Sequence, residues 1–149
     1  MTDRDPPRAQ VLFEVDLTTE PLDVAAAHAF VVHDEAGGIG LFTGVVRNHH
    51  DGHAVDHLDY EAWEDRARDE LDAVARKVAE AHPGVRRIHV SHRLGRLEVG
   101  DVSVICAASA PHRLEAITAA HELIDLVKEH VPIWKRETLA DGEVRWPGC

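Results

Sequence analysis

The sequence predicts an α+β fold, a sandwich of antiparallel and mixed strands with two long helices and one shorter N-terminal helix. Two observations carry this prediction. Apolar residues recur at helical spacing in two long segments, Glu64 to Ala81 and Pro111 to His130. Between and around them run short apolar segments separated by glycine turns, with a hairpin signal at Asp51-Gly52. Strand and helix signals alternate coarsely, but the mixture of hairpins and helices points away from a doubly wound sheet.

From the N-terminus, Gln10 to Leu17 alternates enough to form a strand. Pro21 to Val32 is expected as a helix with an Ala-rich face, capped by Thr19 or Glu20. A second strand runs from Ile39 to Arg47, and Val55 to Trp63 is the return strand of a long hairpin whose turn is Asp51-Gly52. In Glu64 to Ala81, residues Ala67, Leu71, Val74, Val78 and Ala81 share one face and charges lie opposite, and His82-Pro83-Gly84 ends the helix. Arg86 to His92 and Asp101 to Ala108 are strands, joined by a segment whose Gly95 and Gly100 mark turns. Pro111 to His130 is capped by Ser109 or Ala110, with Pro111 in its first turn. Lys135 to Leu139 and Glu143 to Trp146 close the fold around Asp141-Gly142.

With 149 residues, 44% of them hydrophobic, the chain is expected to form a single domain, 1–149, with a flexible lead over 1–9. Sixteen Lys and Arg against 27 Asp and Glu give a net charge of −11, which repels nucleic acid over most of the surface. An anion site must then be a local basic pocket. No segment approaches the ~20 apolar residues of a membrane span and the N-terminus lacks a signal-peptide core, so a cytoplasmic protein is expected. Of two cysteines, Cys106 lies in an apolar run and is expected to be a buried core thiol. Cys149 is the last residue, without a CxxC partner for redox work.

Two motifs point away from their usual chemistry. Gly38-Ile-Gly40-Leu-Phe-Thr-Gly44 has one residue too many for a dinucleotide loop and lies in or before a strand, so its expected role is close backbone packing. His49, His50, His53 and His57 fall within nine residues, yet their spacing matches no standard zinc pattern and the stretch supplies no cysteine. Weak, adventitious metal binding is the most this cluster implies, and no metal is assigned.

The basic residues are more telling. Lys128 ends a helix and Lys135 lies seven positions on, past Pro132, which cannot continue that helix; two cations from different elements can therefore converge on one site. Arg47 ends a strand, and His112-Arg113 opens the second long helix, where free N–H groups and the helix dipole favour an anion. Together these residues form a clamp for a phosphate and a developing oxyanion or thio-anion. Ile117, His121, Ile124 and Lys128 share a helical stripe, which pulls Lys128 toward a core or an interface. A lysine at a helix C-terminus rests as a cation; acting as an amine nucleophile would require a dry pocket, because freeing the amine at neutral pH costs about 4–5 kcal/mol.

Five ordered blocks resemble the large, catalytic subunit of molybdopterin synthase. They are Phe42-Thr-Gly-Val-Val-Arg47-Asn48, Leu58-Asp-Tyr-Glu-Ala-Trp63, His92-Arg-Leu-Gly-Arg-Leu-Glu-Val-Gly-Asp101, Pro111-His-Arg113 and Pro132-Ile-Trp-Lys-Arg-Glu137, spread over most of the chain. The resemblance implies an α/β hammerhead fold and a sulfurtransferase. It makes Lys128 and Lys135 the catalytic pair. Val45, Val46, Arg47, His112, Arg113, Arg136 and Glu137 join them as the substrate pocket, Val45 standing where some relatives carry a lysine. It also implies that sulfur arrives as a thiocarboxylate on the C-terminal Gly-Gly of a small ubiquitin-like subunit, and that the acceptor is cyclic pyranopterin monophosphate. The large subunits would form a homodimer within a heterotetramer. No cofactor is implied, molybdopterin being the product. Two other classes fit parts of the sequence, a non-catalytic module that docks a ubiquitin-like tail and a histidine-rich metal- or phosphate-binding hydrolase. Docking alone would not need paired lysines.

Overall fold

The computed structural model describes residues 5–147, which order along the chain as β1 (Leu12–Thr18), α1 (Val24–Val31), β2 (Gly38–Val45), β3 (His49–His50), β4 (His53–Ala62), α2 (Glu64–Ala81), β5 (Arg87–Arg93), β6 (Gly95–Glu98), β7 (Val102–Ala110), α3 (Arg113–His130), β8 (Ile133–Leu139) and β9 (Val144–Arg145). The fold is α+β with two sheets. One has the order β1-β5-β7-β2, in which β1 and β5 run parallel and the other pairs antiparallel. The second has the order β3-β4-β8-β9, and β6 also pairs with β4.

The apolar stripe of α2 explains the main core. Ala67, Leu71, Val74 and Val78 are buried with Leu123 of α3 against Ile88 and Val90 of β5 and Cys106 of β7, as their helical spacing predicts. Ala81, at the end of that stripe, is exposed. On β7 Val104, Cys106 and Ala108 join this core, and the intervening Ile105 and Ala107 are buried as well. α1 packs on β5 and β7 and buries Ala27 and Val31. A smaller core joins Val46, just after β2, to Val55, Leu58, Leu97 and Leu139 of the second sheet, and Tyr60 touches both cores.

Several expectations from the sequence need correcting. The strand after residue 38 does not return along itself: β2 pairs with β7, while β4 pairs with β8, so the expected long hairpin is divided between two sheets. Only the two-residue β3 folds back on β4, through a turn in which Asp51 (φ 50°) and Gly52 (φ 79°) both have positive φ, as the Asp-Gly signal requires. α1 begins later than its proline, because Asp23 caps it by accepting from the Ala26 N–H at 3.0 Å. His112, not Ser109 or Ala110, precedes α3. The segment between Gly95 and Gly100 contains β6, which the turn signals had concealed. Arg8, inside the lead expected to be flexible, donates to the carbonyls of Ala79, His82 and Val85.

The crossing between sheets sets up the site. The Val46 N–H donates to the Asp101 carbonyl on one side of the crossing, and the Asn48 carbonyl accepts from Val55 on the other, so Arg47 is held between the two sheets. At the far end of α3 the helix stops at His130, Val131 becomes extended, and the Pro132 carbonyl accepts from the Trp63 N–H. That bond fastens the link between α3 and β8 to the end of β4, the strand paired with the one carrying Lys135.

Candidate active site

A cavity of about 500 Å³ opens where the end of β2, the end of α3 and the paired strands β4 and β8 meet. Arg47 enters from the crossing after β2, Lys128 from the last turn of α3 and Lys135 from β8. Val45, Val46 and Glu137 line it too. Strand alternation explains the β8 contribution: Lys135 and Glu137 lie two residues apart and share a face. Their partners across the sheet, Tyr60 and Leu58, line the same cavity.

The same alternation sends Arg136 the other way. It does not line the cavity; its guanidinium donates to Asp59 at 3.2 Å and stands over the Trp146 ring at 6.0 Å. His112 and Arg113 are also outside. They sit at the opposite end of α3 from Lys128, about 22 Å away for fifteen residues of helix at ~1.5 Å each. His112 there meets Asp5 at 3.2 Å. The expected pocket of Arg47 with His112 and Arg113 is therefore not assembled within one chain. Nor is Lys128 buried: on its stripe only Ile124 is, while Ile117, His121 and Lys128 are exposed.

Three cavity histidines, His49, His50 and His92, escaped the sequence reading. Glu137 is 2% exposed, and its Oε2 accepts from His50 Nδ1–H at 2.8 Å. His50 therefore belongs to the cavity and, among the described residues, to no metal cluster. His92 lines the cavity as well. Its Nδ1–H donates to the Arg93 carbonyl at 2.8 Å and its ring meets Tyr60 edge-on, centroids 4.9 Å apart. Burial pushes His92 down from 6.5 to about 4, so the ring is neutral at pH 7, with Nε2 as its acceptor.

A stability consequence follows for His92. Its proton is bound less tightly in the folded protein than in the unfolded chain, so the unfolded state gains protons first as pH falls. Stability is then expected to be fully present above pH 6.5 and to drop by roughly 3 kcal/mol at most between pH 6.5 and 4. Urea unfolding at a series of pH values checks this; the loss in that window should be smaller in His92→Phe.

His49 and His57, near the turn, have partners of their own, His49 from within the cavity lining. His49 bonds Asn48 at 2.9 Å and His57 bonds Asp56 at 2.7 Å, so the histidines near the turn face different partners. Among the described residues, no group of three or more His, Cys, Asp or Glu is arranged to hold a metal ion. Cys106 is fully buried and its thiol is pushed up to about 12 by that burial, which fits an inert core residue. Cys149 lies outside the described residues.

Comparison with known proteins decides the family. Residues 17–130 match the family described as MoaE protein. The chain belongs to this family. It is 43% identical over 132 residues to the molybdopterin synthase catalytic subunit 1 of Mycobacterium tuberculosis, covering 89% of this chain and 88% of that one. The crystal structure of molybdopterin synthase from Staphylococcus aureus superposes with a TM-score of 0.83 at 33% identity, covering 89% of this chain and 96% of that one. A Helicobacter pylori chain, from a complex of subunits 1 and 2 of molybdopterin-converting factor, shares the fold at 20% identity, with a TM-score of 0.69 and coverage of 90% of this chain and 88% of that one. The family match contains Arg47, His92 and Lys128 and stops before Lys135.

Proposed function

We propose that the cavity is the sulfur-transfer site of a molybdopterin synthase catalytic subunit. One observation carries the reading: Lys128 and Lys135, from a helix end and a strand, line one cavity together with Arg47. In this reading a small ubiquitin-like carrier threads its C-terminal Gly-Gly thiocarboxylate into the cavity, and cyclic pyranopterin monophosphate supplies the carbons that become the dithiolene. Arg47 offers the phosphate a forked, permanently charged donor. The two ammonium groups hold the negative charge that develops as the thiocarboxylate sulfur replaces an oxygen on a precursor carbon, joining the carrier as a thioester that water then cleaves to the carrier's carboxylate. No resident cofactor is required, since molybdopterin leaves as product. The reaction belongs in the cytoplasm, and no helix among the described residues is long and apolar enough to cross a membrane.

A homodimer completes the reading. Phe42 of β2 and Leu114 and Ile117 of the adjacent α3 are exposed, and Leu114 reaches 77% exposure. They supply the apolar area that a second copy would cover. His112 and Arg113, remote from the cavity of their own chain, contribute to catalysis only if a second copy brings them to its partner's cavity. With one carrier on each catalytic subunit, the assembly is a heterotetramer.

The carrier's tail gives a direct test. Extended backbone contacts and capture of the terminal carboxylate should supply much, but not all, of its affinity. Removing the carrier's terminal Gly-Gly is expected to abolish transfer and to weaken binding without eliminating it. Unchanged affinity in titration calorimetry would show that the tail is not held in the cavity.

A further inference from the structure

We propose that His50 is a positioning residue that seats the Glu137 carboxylate as the acceptor for an N–H edge of the substrate. The inference rests on the sulfur-transfer reading and extends it to how the pterin is oriented. A carboxylate as buried as Glu137 is costly unless its oxygens are paired. One of them, Oε2, takes the Nδ1–H of His50 at 2.8 Å. The other, Oε1, is buried without a hydrogen-bond partner among the described residues, in a side chain that lines the cavity.

The cavity's cations explain why such an acceptor matters. Arg47, Lys128 and Lys135 bring donors only, which suit a phosphate or a thio-anion. A pterin also presents N–H donors, and a carboxylate oxygen accepts them. The geometry separates these tasks along β8, with Lys135 opposite Tyr60 and Glu137 opposite Leu58. Pterin and phosphate can therefore be read at different points of one cavity.

Local structure holds His50 in place. It precedes the Asp51-Gly52 turn, whose two positive φ angles fix the register of His50 against His53. Its Nε2 lies 3.5 Å from the Asp51 carboxylate, so the ring spans two carboxylates. With Nδ1 bonded to Oε2, Oε1 is the carboxylate oxygen without a partner among the described residues, and it is the atom this reading assigns to the ligand.

The test compares His50→Leu, which removes the donor, with His50→Asn, which keeps an N–H close to the position of Nδ1. Steady-state sulfur transfer is measured with cyclic pyranopterin monophosphate and the thiocarboxylated carrier, and thermal melting is recorded for each variant. His50→Leu is expected to raise the KM for the precursor about tenfold or more, with kcat within about threefold of the starting protein; His50→Asn is expected to restore most of the KM. Glu137→Gln, which keeps the side-chain size, should raise the same KM without lowering the melting temperature, and it decides the matter if His50→Leu fails to fold. An unchanged KM in folded His50→Leu, or in Glu137→Gln, overturns the inference. So does a parallel loss of kcat and melting temperature that His50→Asn does not repair. Absence of transfer in the unsubstituted protein would instead defeat the sulfur-transfer reading itself.

Discussion

Lys135→Ala is expected to lower molybdopterin formation by about a hundredfold to a thousandfold while the protein stays folded, and Lys128→Ala by a similar factor. The magnitude is that of removing one preorganised group from developing negative charge, about 2.7–4 kcal/mol of transition-state stabilisation. Neither lysine is in the apolar core, and neither forms one of the ion pairs that tie the fold together. Melting temperatures should therefore stay close to that of the unsubstituted chain. Product is to be measured directly, with carrier and precursor in excess. Normal turnover in either variant removes that lysine from the mechanism.

The second large effect is structural. Gly40→Ala is expected to destabilise the protein by about 1–3 kcal/mol or more and to lower activity with it. A Cβ on Gly40 would fall onto the Ala116 carbonyl and within 2.9 Å of the Ile117 Cα, all backbone of α3. Backbone cannot rotate aside as a side chain can, so β2 and α3 would have to separate. Because α3 carries Lys128 and β2 leads to Arg47, that separation would also spread the cavity. Urea unfolding of Gly40→Ala beside the original chain checks it, and equal midpoints with equal slopes would show that the contact is not as tight as described.

This glycine was legible from the sequence in kind, since the Gly38–Gly44 segment sits badly before any phosphate-binding helix and close packing was the remaining use for it. α2 was legible to the residue, because its apolar stripe needs no tertiary information. So was the Asp51-Gly52 turn, which local φ requirements dictate. Strand partners were not. A hairpin signal fixes only the residues beside its turn, and the chain from Ile39 to Trp63 contains a crossing at Val46–Asn48 that no local pattern marks.

The site divides along the same line. Lys128 and Lys135 converge because the helix must stop near Pro132, a local rule. Arg136 could have been assigned to the opposite face from Lys135 and Glu137 by strand alternation alone. The distance between Arg113 and Lys128 was likewise implied by helix rise, which argues against placing both in one chain's pocket. His50 against Glu137 and His92 against Tyr60 are pairings across 87 and 32 residues, and only the folded sheets bring them together.

The sulfur-transfer reading stands or falls on one reconstitution. The purified chain is mixed with cyclic pyranopterin monophosphate and a small ubiquitin-like carrier bearing a C-terminal thiocarboxylate, and both are followed by mass spectrometry. The expected result is molybdopterin, with the carrier returned as an ordinary C-terminal carboxylate. Precursor and thiocarboxylate both left intact, under conditions in which an active molybdopterin synthase converts them, would contradict it.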